Sequence, residues 1–430
     1  MTSVPSLLPA RTTVRSAFRW AHHSTIDFPG TATPDFETLC ILPVYSYCDH
    51  GLGLPLNLEE EVGSAVLERA LDYLPAPQSI RILPPVDFGL VPYGPKIGAL
   101  DPETMHGLLS EISQSVKTAG YRKLVFWVGS PWNSELVATA SRDARIEMGM
   151  QTFVVEFDGV GLPLHPACED RSSIQSIGAC LFETTPATPP FETNRSLHFD
   201  KSRPGNWGQS RPQVFDSSLD ASGLLEDSAL RFASLLSEMM ARAPLGEMNH
   251  RASVPLVAPA NPRVAATGSS AGKLRFLTGL DVAALHQLQD KDNGLVIIPI
   301  GAIEQHGPHL PVGVDSLLAQ AAVLGLNELL PPDAPIWFGP QITFGKSNEH
   351  RTFPGTISIS AKSLRRLIVA LATQLKALGF GHIGLLNTHG GNSSVIDYTL
   401  REIQTELGLR VTHLRIPSTA ELSPQENTWG

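Results

Sequence analysis

The stretch "LVIIPIGAIEQHGPHLPVGVDSL" (295–317) opens with six apolar residues of strand character and then breaks into a loop shaped by Gly and Pro. It has a counterpart earlier in the chain, "LCILPVYSYCDHGLGLPLNLEEE" (39–61). Pro43 falls on Pro299, His50 on His306, Gly51 on Gly307, Leu54 on Leu310 and Pro55 on Pro311, each pair 256 positions apart (299 − 43, 306 − 50). Phe88-Gly89 and Phe344-Gly345 keep that offset. Further on, "AGYRKLVFWVGSPWN" (119–133) matches "LGFGHIGLLNTHGGN" (378–392) at an offset three residues larger. Three coincidences in the same order mean an internal duplication with a short insertion.

Each copy starts with a strand-like run, then the Gly/Pro loop, then a helix. In the second copy the helix is "SLLAQAAVLGLNELL" (316–330), with apolar residues at helical spacing. A second helix spans 360–379, with Ser360 as N-cap and Gly379 as stop. Its Leu364, Leu367, Ile368, Leu371, Leu375 and Leu378 form one apolar stripe, and "HIGLLN" (382–387) follows as a buried strand. Such alternation predicts a largely parallel sheet covered by helices. Between the copies, an Ala/Pro/Ser/Gly-rich stretch reads as a linker. The predicted organisation is an N-terminal extension (1–35), a first domain (36–244), a linker (245–271) and a second domain (272–430).

A chain of 430 residues, 42% hydrophobic and 17% charged, suits a globular protein of two domains. The net charge of −10 and the lack of Lys/Arg runs exclude a general nucleic-acid binder, and no apolar run approaches the roughly 18 residues of a membrane span. Four Cys without C-x-x-C pairing point to a reducing compartment. The cytoplasm is the default location. The first residues, with Arg11, Arg15 and Arg19 and no acid before Asp27, also fit an organellar transit peptide, although Pro5 and Pro9 interrupt a helix there.

Chemistry concentrates in the second copy. Glu304 and His306 lie two apart just after a strand, so both reach the same side. Asp315 lies across a loop that can fold back, and His389 follows a second strand with Gly390 and Gly391 beside it. Side chains leaving the C-terminal ends of neighbouring parallel strands meet in one crevice. Two His and two carboxylates suit a divalent cation such as Zn²⁺ or Mn²⁺. Taken singly, Asp315 reads as a helix N-cap, His389 as a turn residue and His309 as a group that packs the loop. Glu304 beside His306 is the pair that folding explains least, because burying a lone carboxylate is costly.

Together, "GAIEQHGPHLPVGVD" (301–315), "HRTFPGT" (350–356) and "NTHGGN" (387–392) resemble the creatininase family of metal-dependent amidohydrolases. The resemblance covers about 272–417 well and 38–244 as a divergent copy. It implies a three-layer α/β/α sandwich in each copy and assembly into a homo-oligomer. It also implies Glu304, His306, Asp315 and His389 as ligands of one or two ions, Zn²⁺ or Mn²⁺ with Fe possible, with Asp315 bridging. Catalysis would pass through Glu304 and His306 by way of the metal, which polarises an amide carbonyl and acidifies a water. His350 would border a small-molecule substrate.

Two departures qualify this. The first copy puts Cys48, Glu59 and Ser130 where the second has Glu304, Asp315 and His389, so it is read as dead toward metal. The family's later motif, H-A-G-E-x-E-T-S, survives in the first copy only as "GACLFETT" (178–185), with Gly178 at the His position and Leu181 at the ligand Glu. The second copy lacks it and so lacks its usual fifth ligand, for which Glu421 and Glu426 are the tail candidates. The leading expectation is a hydrolase of a non-peptide C–N bond (cyclic amide, lactam, formamide or amidine). The alternatives are a catalytically inactive scaffold or regulatory subunit, and the same site run as a condensation or cyclisation.

Overall fold

The structure is a computed structural model that describes residues 16–50, 53–75, 79–92, 94–162, 164, 171–182, 220–243, 256–257 and 275–416. The first half runs β1 (Asp35–Val44), α1 (Leu58–Asp72), β2 (Ile80–Ile82), α2 (Pro102–Thr118), β3 (Tyr121–Val128), α3 (Ser134–Met148), β4 (Gln151–Glu156), α4 (Arg171–Phe182) and α5 (Ala221–Ala241). The second runs α6 (Val282–Gln287), β5 (Leu295–Ile300), α7 (Val314–Leu329), β6 (Ile336–Phe338), α8 (Ala361–Ala377), β7 (His382–Asn387), α9 (Ser393–Glu402) and β8 (Arg410–Arg415).

The duplication holds residue by residue. Each half has a parallel four-stranded sheet, ordered β2-β1-β3-β4 and β6-β5-β7-β8. Leu39 opposes Ile80 where Leu295 opposes Ile336, both pairs displaced by 256. Lys123 opposes Gln151 where His382 opposes Arg410, both displaced by 259. The three extra residues are therefore confined to one segment. Gly89 bridges to Ala99, ten residues on, whereas Gly345 bridges to Ser358, thirteen residues on. That lengthened segment, 346–357, carries His350.

Strand periodicity sorts the side chains into layers. Cys40, Leu42 and Val44 of β1 join Val296, Ile298 and Ile300 of β5 in one core that runs between the halves. Leu39 and Ile41 face the other way, onto α1, α4 and α5. In the second half, the outward face of Ile297, Phe338 and Leu386 packs on Val323 of α7. Each half is thus helix, sheet, helix, and the inner helices of the two halves meet. Helix α8 begins where Ser360 accepts a hydrogen bond from Ser363 N–H. Leu364, Leu367, Ile368, Leu371 and Leu375 are buried along its inner stripe. Across the seam Gln374 pairs with both backbone groups of Ala99, and Ser360 N–H donates to Glu111.

Residues 16–34 form a strap over both halves. Arg19 bridges to Ile82 of its own sheet, and the chain then crosses to the second half, where Val312 N–H donates to His23 O (2.7 Å) and Gly313 N–H to Ala21 O (3.0 Å). The exchange is reciprocal. Phe276 bridges to Phe338, after which Leu56 N–H donates to Leu280 O (3.1 Å) and Asn57 N–H to Thr278 O (3.0 Å). Each half lends its leading segment to the other's loop. Trp20, fully buried, donates from Nε1 to Gly355 O (2.8 Å), and Thr25 donates to Pro354 O (2.8 Å).

Of the linker read at 245–271, only 256–257 are described, and Val257 N–H there donates to Tyr73 O. Arg11, Arg15, Glu183, Thr184, Glu421 and Glu426 lie outside the described residues. Gly178 is buried in α4, where a Cβ would strike Leu54. Among the described residues no helix is long and apolar enough to cross a membrane.

Candidate functional site

In the second half, β5 leads to α7 and β6 on one side, while β7 and β8 lie on the other. The crevice between the C-terminal ends of β5 and β7 is therefore a topological switch point, where open α/β sheets bind ligands. Glu304 and His306 come from the loop after β5, Asp315 from the first turn of α7 that follows it, and His389 from the loop after β7. Backbone contacts fix these loops. Ile357 N–H donates to Ile303 O, Gln305 N–H donates to Thr356 Oγ1, and Thr388 Oγ1 donates to Asp315 O.

All four side chains converge. His389 Nδ1 lies 3.0 Å from Glu304 Oε1 and 3.1 Å from Asp315 Oδ2, while His306 Nε2 lies 3.4 Å from Asp315 Oδ1 and 4.0 Å from Glu304 Oε1. Each imidazole is anchored by its other nitrogen. His306 Nδ1 faces Glu304 O at 3.0 Å, and His389 Nε2 faces Lys346 O at 3.1 Å. A carbonyl oxygen can only accept, so those nitrogens carry hydrogen and the nitrogens aimed at the carboxylates are the ones available as ligands. His350 Nδ1 reaches Glu304 Oε2 at 3.0 Å. His309 is exposed at the loop tip.

Asp315 is not the cap that its position before a helix suggests. Helix α7 starts at Val314, with Gly313 as N-cap and no side-chain capping bond, so Asp315 sits in the first turn. The N–H of Gly313 is taken by the strap, and the helix begins one residue after it. The side chain of Asp315 is then turned to the two imidazoles instead of to the helix. Its Oδ2 is buried without a hydrogen bond, a lone pair suited to a cation.

The electrostatics fit that reading. Burial raises the Glu304 pKa, but His389 and His350 outweigh it and hold the carboxyl below its ordinary value. Burial likewise raises that of Asp315, and His306 and His389 hold it down. Burial lowers the His389 pKa, yet Asp315 and Glu304 together push it up to about 10. A compact set of two acids and two imidazoles that perturb one another this strongly is a candidate functional centre.

Two groups of side chains could hold an ion. Ligand atoms of Glu304, His306 and Asp315 lie within 4.8 Å of one another, and so do those of Glu304, Glu349 and His389. Among the described residues no third group of this kind forms, and both groups lie in the second half. There His50 Nε2 faces Glu59 Oε1 at 3.3 Å, His50 Nδ1 donates to Leu164 O (3.0 Å), and Ser46 N–H donates to Glu59 Oε2. Burial, then Glu59, pushes the Cys48 thiol far up, so it is no thiolate ligand. A buried His–Glu contact fills the place of the centre. What both copies keep is scaffold: Asn133 Oδ1 accepts from Leu90 N–H as Asn392 Oδ1 accepts from Lys346 N–H. Glu349 is the residue that sequence reading missed. The three-residue lengthening of its segment was the available signal.

Fold and site together define a tandem α/β protein with one His/carboxylate centre at the switch point of its second sheet. The family model for creatinine amidohydrolase, Creatininase, matches residues 21–189 and 279–428, and the chain belongs to that family. It is 35% identical over 116 residues to a mycofactocin precursor peptide peptidase of Mycobacterium ulcerans (26% of this chain, 46% of that protein). It is 31% identical over 118 residues to a creatinine amidohydrolase of Pseudomonas putida (26% and 44%). It is also 31% identical over 102 residues to a 3-dehydro-scyllo-inosose hydrolase of Thermotoga maritima (23% and 31%). The chain spans less than half the length of these relatives. A crystal structure of creatinine amidohydrolase is similar over 48% of this chain and 92% of that one, at 18% identity and a TM-score of 0.33.

Proposed function

We propose that the second half is a metal-dependent amidohydrolase centre acting on a non-peptide C–N bond of a small molecule, such as a cyclic amide, lactam, formamide or amidine. The observation that carries this reading is the pair of anchored imidazoles, each fixed by a backbone carbonyl and aimed at Glu304 and Asp315. Glu304, His306, Asp315 and His389 would hold one or two divalent ions, Zn²⁺ or Mn²⁺. When bound, such an ion supplies Lewis acidity toward a carbonyl oxygen and an acidified water.

The chain's own groups do the rest. Glu304 Oε2 accepts a hydrogen bond from His350 Nδ1–H, so the neutral imidazole would present Nε2 as an acceptor to the substrate. Phe353, half-exposed, meets the His350 ring edge-on at 5.8 Å and gives the rim an apolar side. Retention of the whole set in one copy and its replacement by a buried His–Glu contact in the other support a working centre over an inactive scaffold. The test is turnover of a panel of lactams, cyclic amides, formamides and amidines by metal-loaded protein, with a peptide amide included because of the peptidase likeness. Hydrolysis of a small amide that is lost on chelation and in Glu304→Gln supports the reading. Cleavage of the peptide alone would move the substrate class, and no cleavage with metal bound would favour the scaffold.

A further inference from the structure

We propose that Glu349 is the fifth protein ligand of this centre, holding a second cation together with Glu304 and His389. This rests on the metal-dependent reading above and goes beyond it by naming a residue outside the four.

Four observations converge. The ligand atoms of Glu304, Glu349 and His389 lie within 4.8 Å of one another, and Glu304 is shared with the group formed by His306 and Asp315. Gly391 makes the room: a Cβ there would stand 2.5 Å from Glu349 Oε1 and 2.5 Å from His389 Nε2, and would also strike Lys346 O. Any side chain at 391 would displace the carboxylate. Next, the three residues by which the second copy exceeds the first fall in the 346–357 segment that carries Glu349. The lengthened segment belongs to the copy that kept its ligands. Finally, Asp315 Oδ2, on a side chain 9% exposed, makes no well-aligned hydrogen bond, although it points into the same cluster 3.1 Å from His389 Nδ1.

Charge argues the same way. Glu304 and Asp315 bring two negative charges, enough to neutralise one divalent ion, and a third carboxylate offsets half the charge of a second. The competing partner of Glu349 is Lys346, whose Nζ lies 3.6 Å from Oε2, the two side chains being 25% and 45% exposed. Such a pair is weak and easily exchanged for a cation. Oε1 is the oxygen beside Gly391, and Oε2 the one beside Lys346.

Isothermal titration of metal-free full-length protein with Zn²⁺ or Mn²⁺ tests the assignment, with stoichiometry checked by elemental analysis after dialysis. The parent should take two ions per chain. Glu349→Gln should keep one at parental affinity and bind the second about 100-fold more weakly or not at all. Lys346→Ala should tighten the second ion, because it releases the carboxylate. A parent that binds one ion, or a Glu349→Gln protein that binds two as tightly as the parent, overturns the role of Glu349 while leaving the four-ligand reading intact. A parent that binds none overturns both. A second ion weakened equally by Lys346→Ala and Glu349→Gln would make Glu349 a mere partner of Lys346 and also refute the proposal.

Discussion

Trp20 lies far from the centre in sequence, yet its loss should be felt there. The side chain is fully buried between Phe28 (ring centroids 4.6 Å apart) and Tyr121 (5.6 Å), and its Nε1–H satisfies Gly355 O. Trp20→Ala removes that packing, at a cost of about 3–5 kcal/mol. The upper end applies because Gly355 O is left without its donor. The same strap holds 312 and 313 by two backbone bonds, between Glu304 and Asp315. Slackening it should therefore weaken metal binding by about 10–100-fold, the scale of lost support around a ligand. The control is Leu277, the reciprocal position, equally buried in the strap that reaches the first half. Leu277→Ala should cost about 2–5 kcal/mol but leave metal affinity near the parent value, since 56–57 border no centre. Denaturant unfolding gives the stability change and calorimetric titration gives the affinity. Equal metal affinities in the two variants would refute the claim that the strap positions the site.

Asp315→Asn should cost the metal-free protein up to about 3–5 kcal/mol, because it takes a buried carboxylate from His306 and His389, while metal affinity falls by well over 100-fold; melting and titration of one preparation read both. His50→Ala should destabilise the first half by about 2–5 kcal/mol, the range for emptying a buried side-chain site, and should leave metal content unchanged. The pH dependence has a defined sign. His389 binds its proton more tightly folded (about 10) than unfolded (about 6.5), so the metal-free protein should lose stability as pH rises from about 6.5 to 10. Glu304 and Asp315, held down, contribute stability above the ordinary carboxylate range that is lost as pH falls through it. Metal uptake should release protons across the range from about 6.5 to 10, which calorimetry in buffers of different ionisation enthalpy would detect.

Much of the fold was legible because side-chain pattern and backbone agree. The 256 and 259 offsets, read from identities such as Pro43/Pro299 and Gly120/Gly379, are the offsets of strand register. Ser360 caps as its position implies, and "HIGLLN" is β7 without a residue's difference. The reciprocal strap was not legible. Its bonds run through backbone atoms of "RWAHH" (19–23) and "FLTGL" (276–280), which share no residue type in register, so no identity marks the correspondence. Asp315 was misplaced by one turn's detail, since the helix start depends on where Val312 and Gly313 spend their N–H groups, and the acceptors come from residues 21 and 23. Glu349 escaped because an acid in a polar loop looks like any solvated acid. Only Gly391, two residues past His389 and far off in sequence, gives it somewhere to go.

Crystals grown with excess Zn²⁺ or Mn²⁺, with diffraction measured across the metal's absorption edge, test the central claim most directly. The anomalous map should show its density in the second half, bounded by Glu304, His306, Asp315 and His389, and nothing beside His50 and Glu59. A peak at His50, or a second half empty of metal at saturating concentration, would contradict the account.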